Sequence, residues 1–185
     1  MAIIRTKSFS TACPTISSCD IDLYDTPEKL LQFVNNQGIV PVPLDVIKLA
    51  EKININVEYV DLADDLSGEL FKDPETDHWF INVNRKHHVN RQRYTIAHEI
   101  AHFCLHRHLK YRFEDEIFFR GGESDDKEEM EANNFASFIL IPEQELKSKI
   151  RSGIRKIEEL AEIFEVSTLA LRIRVKSLGM SGHGL

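Results

Sequence analysis

The feature that most constrains this chain is a pair of histidines, His98 and His102, with Glu99 directly after the first. If the segment is helical, residues four apart share one face, so both imidazoles can bind one metal ion from a single rigid element. Glu99 then lies one step around the helix, where its carboxylate can reach a water on that metal without being a ligand. Zinc lowers the pKa of such a water to about 7, so Glu99 is the candidate general base.

The residues around this motif favour a buried helix. They carry no charge: Thr95, Ile96, Ala97, Ile100, Ala101, Phe103, Cys104 and Leu105. Burial of unpaired polar groups costs free energy, and a metal ion would give two histidines and a glutamate a partner. The alternative is an amphipathic helix whose histidines and glutamate share a solvated face by coincidence. A third ligand elsewhere in the chain would favour the metal site.

The segment 127–142 supplies candidates for that third ligand. It has the pattern of a helix that ends before Pro142, and its first turns contain three glutamates: Glu128, Glu129 and Glu131. Glu129 lies on the stripe of small residues that would pack against the motif helix, so we choose Glu129, with Glu131 as the runner-up. The alternative is that all three glutamates form a solvated acidic face.

Several polar residues near the motif are candidates for supporting roles. Asn133 lies one turn after Glu129 and could bond a ligand histidine. His106 follows His102 on the same face but is too far along the helix to reach the same ion, so we expect it to form a hydrogen bond nearby or to close the cleft. Tyr94 and His106 are candidates for stabilising an oxyanion.

A different ligand scheme would use His108 as the third histidine. His108 stands where the metzincin pattern H-E-x-x-H-x-x-G-x-x-H has its last ligand. That pattern needs a glycine to break the helix, and Leu105 occupies the position. The metzincin scheme is therefore disfavoured.

The overall composition indicates one soluble domain. The chain has 185 residues, 42% apolar and 29% charged, and a formal charge of -7, which disfavours broad binding to nucleic acid. The chain has three cysteines, an odd number, so we do not expect a disulfide framework. We expect a reduced protein in the cytoplasm. We find no signal peptide and no run of membrane-spanning length.

The order of local patterns predicts an α+β fold with a small core around the motif helix. Two helices, at 26–38 and 44–53, precede three short strands at Ile55–Val60, Leu70–Phe71 and His78–Val83. We expect a three-stranded, mainly antiparallel sheet packed on the motif helix. Residues 1–20 are predicted to be a flexible arm, 21–150 the core domain that carries the motif, and 151–185 a helical segment packed on it. The charged insertion at 107–127 is either a mobile flap or a loop packed by its own aromatic residues.

The C-terminal segment has the sequence pattern of a helix-turn-helix motif. Leu160-Ala161 precedes Val166-Ser167, and basic residues follow at Arg172, Arg174 and Lys176. If this motif bound DNA, it would place the residues from Ser167 onward in a major groove. The acidic chain and Glu165 in the turn favour a helical pair that packs on the core or docks a protein substrate.

The two informative stretches together resemble the ImmA/IrrE family of metallopeptidases. Residues 91–106 read RQRYTIAHEIAHFCLH and residues 129–142 read EMEANNFASFILIP. The resemblance runs from about Pro43 to about Gly179. One departure is Ile100-Ala101, where many members carry Leu-Gly.

The resemblance implies a gluzincin-like fold and a zinc ion on His98, His102 and Glu129, with Glu99 as the base. Family members cleave helix-turn-helix repressors in phage, mobile-element or stress circuits. The first hypothesis is therefore a zinc endopeptidase acting on a cytosolic repressor. The second is a catalytically silent zinc-containing protein-binding module, and the third a DNA-binding factor. Manganese or iron could replace zinc at such ligands.

Overall fold

The computed structural model describes residues 24–116 and 127–180. Its helices are α1 Pro27–Asn36, α2 Val46–Lys52, α3 Val89–His106, α4 Lys127–Leu140, α5 Glu143–Arg151, α6 Ile157–Phe164 and α7 Thr168–Ser177. Its strands are β1 Ile55–Val60, β2 Leu66–Lys72, β3 Trp79–Asn84 and β4 Arg112–Glu116. The predicted arm at 1–20 and the part of the predicted flap at 117–126 lie outside the described residues.

The helix starts follow from capping side chains. Thr26 Oγ1 accepts a hydrogen bond from the Lys29 backbone N–H at the start of α1, and Pro27 occupies the first turn, as predicted. The second helix begins at Val46 and not at Leu44, because the Asp45 carboxylate caps it by accepting from the Lys48 N–H. Leu44 is nevertheless fully buried, in front of the helix.

The sheet has four strands in the order β1-β3-β2-β4, so the prediction of three strands was wrong. β2 pairs antiparallel with both β3 and β4, whereas β1 and β3 are parallel, which makes the sheet mixed. The fourth strand escaped prediction because β4 contains one apolar residue, Phe113, among charged ones. Charged side chains are common on edge strands, where they discourage further pairing.

The motif helix α3 is the centre of the core. One face of the sheet supplies fully buried Leu70, Ile81 and Val83, and α3 supplies fully buried Ile96 and Ile100. Helix α4 packs along α3, and the two helices contribute four fully buried alanines: Ala97, Ala101, Ala132 and Ala136. Small side chains let two helix backbones approach closely, so α4 is held at a distance from which its short acidic side chains can reach the histidines of α3.

Strand β2 also lies close to α3, and Gly68 makes this possible. A Cβ atom at residue 68 would lie 2.5 Å from Thr95 Cγ2, 2.8 Å from the Asn82 carbonyl oxygen and 3.7 Å from Glu99 Oε1. The first two distances are shorter than van der Waals contact. Gly68 thus brings the β2 backbone next to the carboxylate of Glu99.

We expect Gly68→Ala to destabilise the fold by about 1 to 3 kcal/mol, because the added methyl group overpacks the β2–α3 contact. Urea denaturation of the variant and wild type measures this. Thr95→Ser removes Cγ2, so combining it with Gly68→Ala should recover part of the loss, while the contact with the Asn82 carbonyl remains. A Gly68→Ala protein as stable as wild type would contradict the packing argument.

The C-terminal helices are tied to α3 at the turn between α6 and α7. Arg93 donates through Nε to the Glu165 carbonyl and pairs through Nη1 with the Glu165 carboxylate at 3.2 Å. Asn90 donates to the carbonyl of Val166, which is 2% exposed. The turn of the predicted helix-turn-helix therefore lies against the motif helix. The division of the chain at residues 20 and 150 stays a prediction.

Within residues 24–116 and 127–180, none of the helices combines the length and the apolar character needed to cross a membrane.

Candidate metal centre

Three donor side chains converge between α3 and α4. His98 Nε2 and His102 Nε2 lie 3.0 Å apart. The Glu129 carboxylate reaches both, with Oε2 3.2 Å from His98 Nε2 and Oε1 3.1 Å from His102 Nε2. The histidines share a face of α3 because they are four residues apart, and Glu129 faces them from the first turn of α4.

This triangle of atoms fits a metal ion. A tetrahedral zinc with bonds of about 2.0 to 2.2 Å places its ligand atoms about 3.3 to 3.6 Å apart, within a few tenths of an ångström of the distances here. Each of the two histidines is 1% exposed, so water does not solvate them freely. Two imidazoles and one carboxylate are a donor set that zinc commonly takes. The cluster can therefore hold a divalent ion.

The protonation of these groups suits metal binding. Burial lowers the pKa of His102, and the neighbouring Glu129 carboxylate opposes this only in part, so the imidazole is neutral near pH 7. Burial raises the pKa of Glu129, but the imidazoles of His102 and His98 that face it outweigh this effect and hold the pKa well below its usual range. A neutral imidazole and an ionised carboxylate are the forms that bind metal.

The other two glutamates of α4 have different partners. Glu128 pairs with Lys110 at 3.0 Å. Glu131 Oε2 lies 3.2 Å from His106 Nε2 and does not join the triangle. Of the three acidic residues considered, Glu129 is the one that the structure brings to both histidines.

His106 continues the row of histidines along α3. Its Nδ1 lies 3.1 Å from His102 Nδ1, and its Nε2 faces Glu131, so both ring nitrogens are engaged. The ring of Phe113, on β4, stacks on His102 with centroids 4.8 Å apart and also contacts His106. His106 is 4% exposed, which places it behind the metal cluster and not at its open side.

Glu99 directly follows His98 in α3 and is fully buried, with its carboxylate next to the backbone of β2 at Gly68. It is not one of the three converging donors.

A groove of about 910 Å³ opens at His98 and runs between α3, α4, α6 and α7. Tyr94 and Asn133 line it next to His98, and the Tyr94 hydroxyl donates to Asn133 Oδ1 at 3.1 Å. Asn133 thus bonds Tyr94 and not a ligand histidine. The far wall carries Leu169 and Ile173 of α7, which are 45% and 57% exposed.

Two other side chains of types that can bind metal lie outside the cluster. His108 follows the end of α3 and is exposed. Cys104 is buried, and burial raises the pKa of its thiol to about 12, so it stays protonated and is not a thiolate ligand.

Sequence reasoning missed two residues of the site. Phe113 covers the histidine rings from a strand that was not predicted, and Gly68 admits the β2 backbone beside Glu99. A single aromatic residue in a charged segment, and a glycine inside a strand pattern, are the signals that point to them.

An α+β fold in which an H-E-x-x-H helix receives a glutamate from the next long helix defines a candidate metalloprotein with a two-histidine, one-carboxylate centre. The family model for Peptidase M78, the IrrE N-terminal-like domain, matches residues 50–176. The chain therefore belongs to this family, which confirms the resemblance seen in its two motifs.

One relative is Metallopeptidase ImmA from Bacillus subtilis (strain 168), 27% identical over 115 residues. The match covers 61% of this chain and 64% of the relative, so it spans just under two thirds of that protein's length. It supports assignment to a metallopeptidase family.

Proposed function

We propose that this protein is a zinc-dependent endopeptidase that cleaves a helix-turn-helix transcriptional repressor in the cytoplasm. The observation that carries the proposal is the convergence of His98, His102 and Glu129 within 3.2 Å of one another, with a buried Glu99, which is not one of these donors, directly after His98 in α3. A purely structural metal site has no use for an additional carboxylate at this position. The name of the relative, Metallopeptidase ImmA, supports the same reaction.

A zinc ion on these three residues would supply a Lewis acid that polarises the scissile carbonyl and makes a water acidic enough to attack it. Glu99 acts as the general base: its carboxylate accepts a proton from the attacking water and delivers it to the nitrogen of the departing amine. The burial of Glu99 keeps bulk water away from this proton transfer.

The groove at His98 is the proposed site for the substrate chain. Tyr94 lines it one helical turn before His98, and its hydroxyl, which donates to Asn133 Oδ1 in this structure, is proposed to turn and donate to the developing oxyanion when substrate binds. His106, the other candidate for that role, has both ring nitrogens engaged behind the cluster. The exposed apolar side chains of Leu169 and Ile173 suit a protein substrate with an apolar segment near the cleavage site.

The test is cleavage of purified helix-turn-helix repressors by the zinc-loaded protein, followed by gel electrophoresis and intact mass measurement. We expect one or two defined fragments from a cognate repressor, and none after treatment with a chelator. A zinc-loaded protein that binds a repressor without cutting it would overturn the peptidase assignment and support a silent binding module.

A further inference from the structure

A chain of three side chains leads away from the metal cluster and is not used by the proposed chemistry. His102 Nδ1 lies 3.1 Å from His106 Nδ1, and His106 Nε2 lies 3.2 Å from Glu131 Oε2. Both histidines are buried, while Glu131 is partly exposed on α4. The Glu131 carboxylate is thus connected to the metal cluster through the imidazole rings of His106 and His102.

The direction of each hydrogen bond in this series of side chains follows from the Glu131 carboxylate at its outer end. An ionised carboxylate only accepts hydrogen bonds, so His106 Nε2 must carry the proton that it donates to Glu131. The other nitrogen of a neutral His106 is then an acceptor. Two facing Nδ1 atoms share one proton, and that proton therefore belongs to His102 Nδ1.

This assignment fixes the state of His102 at the cluster. With the proton on Nδ1, the Nε2 lone pair points toward Glu129 Oε1, 3.1 Å away. A lone pair facing a carboxylate is unfavourable unless a cation lies between them. The hydrogen bonds from His102 through His106 to Glu131 therefore favour the Nδ1-protonated tautomer of His102, which can bind a metal ion. They disfavour the Nε2-protonated tautomer, which would donate directly to Glu129.

Two further contacts keep this chain in place. The Phe113 ring lies over His102 at an interplanar angle of 27°, which limits rotation of the imidazole and excludes water from one of its faces. Lys127 pairs with the second oxygen of Glu131 at 3.3 Å, which leaves Oε2 for His106.

We propose that His106 and Glu131 are positioning residues that fix the tautomer and orientation of His102 and thereby raise its affinity for the metal. The proposal rests on the metal site of the proposed function but not on peptidase activity. Partners of metal-bound histidines outside the ligand set are typically worth about 10- to 100-fold in metal affinity. Here the carboxylate acts through an interposed histidine.

The experiment measures zinc affinity by competition with a chromophoric chelator for wild type and for four variants. His106→Leu removes the acceptor and should weaken zinc binding about 10- to 100-fold. His106→Asn places an amide oxygen near the position of Nδ1, so it should recover most of that affinity. Glu131→Gln should cause a smaller loss, and Glu128→Gln, whose partner is Lys110, should cause none.

Three controls separate positioning from packing. A His106→Leu, Glu131→Gln double variant should bind zinc as His106→Leu does, because Glu131 acts only through His106. Long-range ¹H–¹⁵N spectra should show His102 protonated at Nδ1 in the wild type and a mixture of tautomers in His106→Leu. Thermal unfolding of the metal-free proteins reports whether each variant folds.

The outcomes distinguish the two proposals. Equal zinc affinity in wild type and His106→Leu, or additive losses in the double variant, would overturn the positioning role alone. A wild-type protein that binds zinc with the expected variant order but cleaves no repressor would overturn the peptidase function and leave the positioning role intact. A wild-type protein without measurable zinc affinity would overturn both.

Discussion

Replacing Glu99 with glutamine is expected to abolish cleavage while leaving the metal in place. The amide has nearly the shape of the carboxylate but cannot accept the proton of the attacking water, and loss of a general base typically costs about 10²- to 10⁴-fold in rate. Glu99 is not among the three converging donors, so metal content should stay at the wild-type level. Repressor cleavage and metal analysis of the same preparation measure both effects.

Control measurements make this result specific. Glu99 is fully buried, so unfolding of the variant must be compared with that of wild type to exclude a loss of structure. Glu128→Gln provides a matched substitution at a half-buried residue of α4 that pairs with Lys110, and it should change neither rate nor metal content. Cleavage by Glu99→Gln at the wild-type rate would remove Glu99 from the mechanism, and loss of metal would make it a ligand.

Replacing Glu129 with glutamine is expected to have the largest effect on metal binding. The ionised carboxylate contacts both histidines, and a neutral amide oxygen is a much weaker ligand. Structural zinc sites with four ligands bind with about 10 to 16 kcal/mol, which is roughly 3 kcal/mol per ligand and at least about a hundredfold in affinity. Chelator competition measures the loss directly.

The neighbouring glutamates of α4 are the natural comparison for this variant. We expect zinc affinity to fall most in Glu129→Gln, less in Glu131→Gln and not at all in Glu128→Gln. This order follows from their contacts, which run to both ligand histidines, to His106 and to Lys110, respectively. A larger loss in Glu131→Gln than in Glu129→Gln would reassign the third ligand.

Local sequence patterns predicted most of the helices and strands that surround the site. The caps at Thr26 and Pro27 marked α1, the alternation at Ile55–Val60 marked β1, and Pro142 marked the end of α4. These local signals depend on only a few neighbouring residues, and the folded chain keeps the structures that they predict. The order of strands and the parallel pairing of β1 with β3 depend on contacts between distant segments, which local periodicity does not report.

The same distinction holds for the metal cluster. Helical spacing alone placed His98 and His102 on one face, and the small-residue stripe of α4 pointed to Glu129, which the structure brings to both. The partner of His106 could not be chosen in this way, because it depends on how far α4 is displaced along α3. Phe113 stacks on His102 because it lies on β4, and the mostly charged sequence of this strand does not predict a strand.

The most direct test of the metal centre is the metal content of the purified wild-type protein, measured by mass spectrometry with His102→Ala and Glu129→Ala alongside it. We expect about one zinc per chain in the wild type and loss of zinc in both variants while their circular dichroism remains that of a folded protein. Carefully purified wild type that binds no metal when zinc is supplied would contradict the metal centre and with it the proposed peptidase.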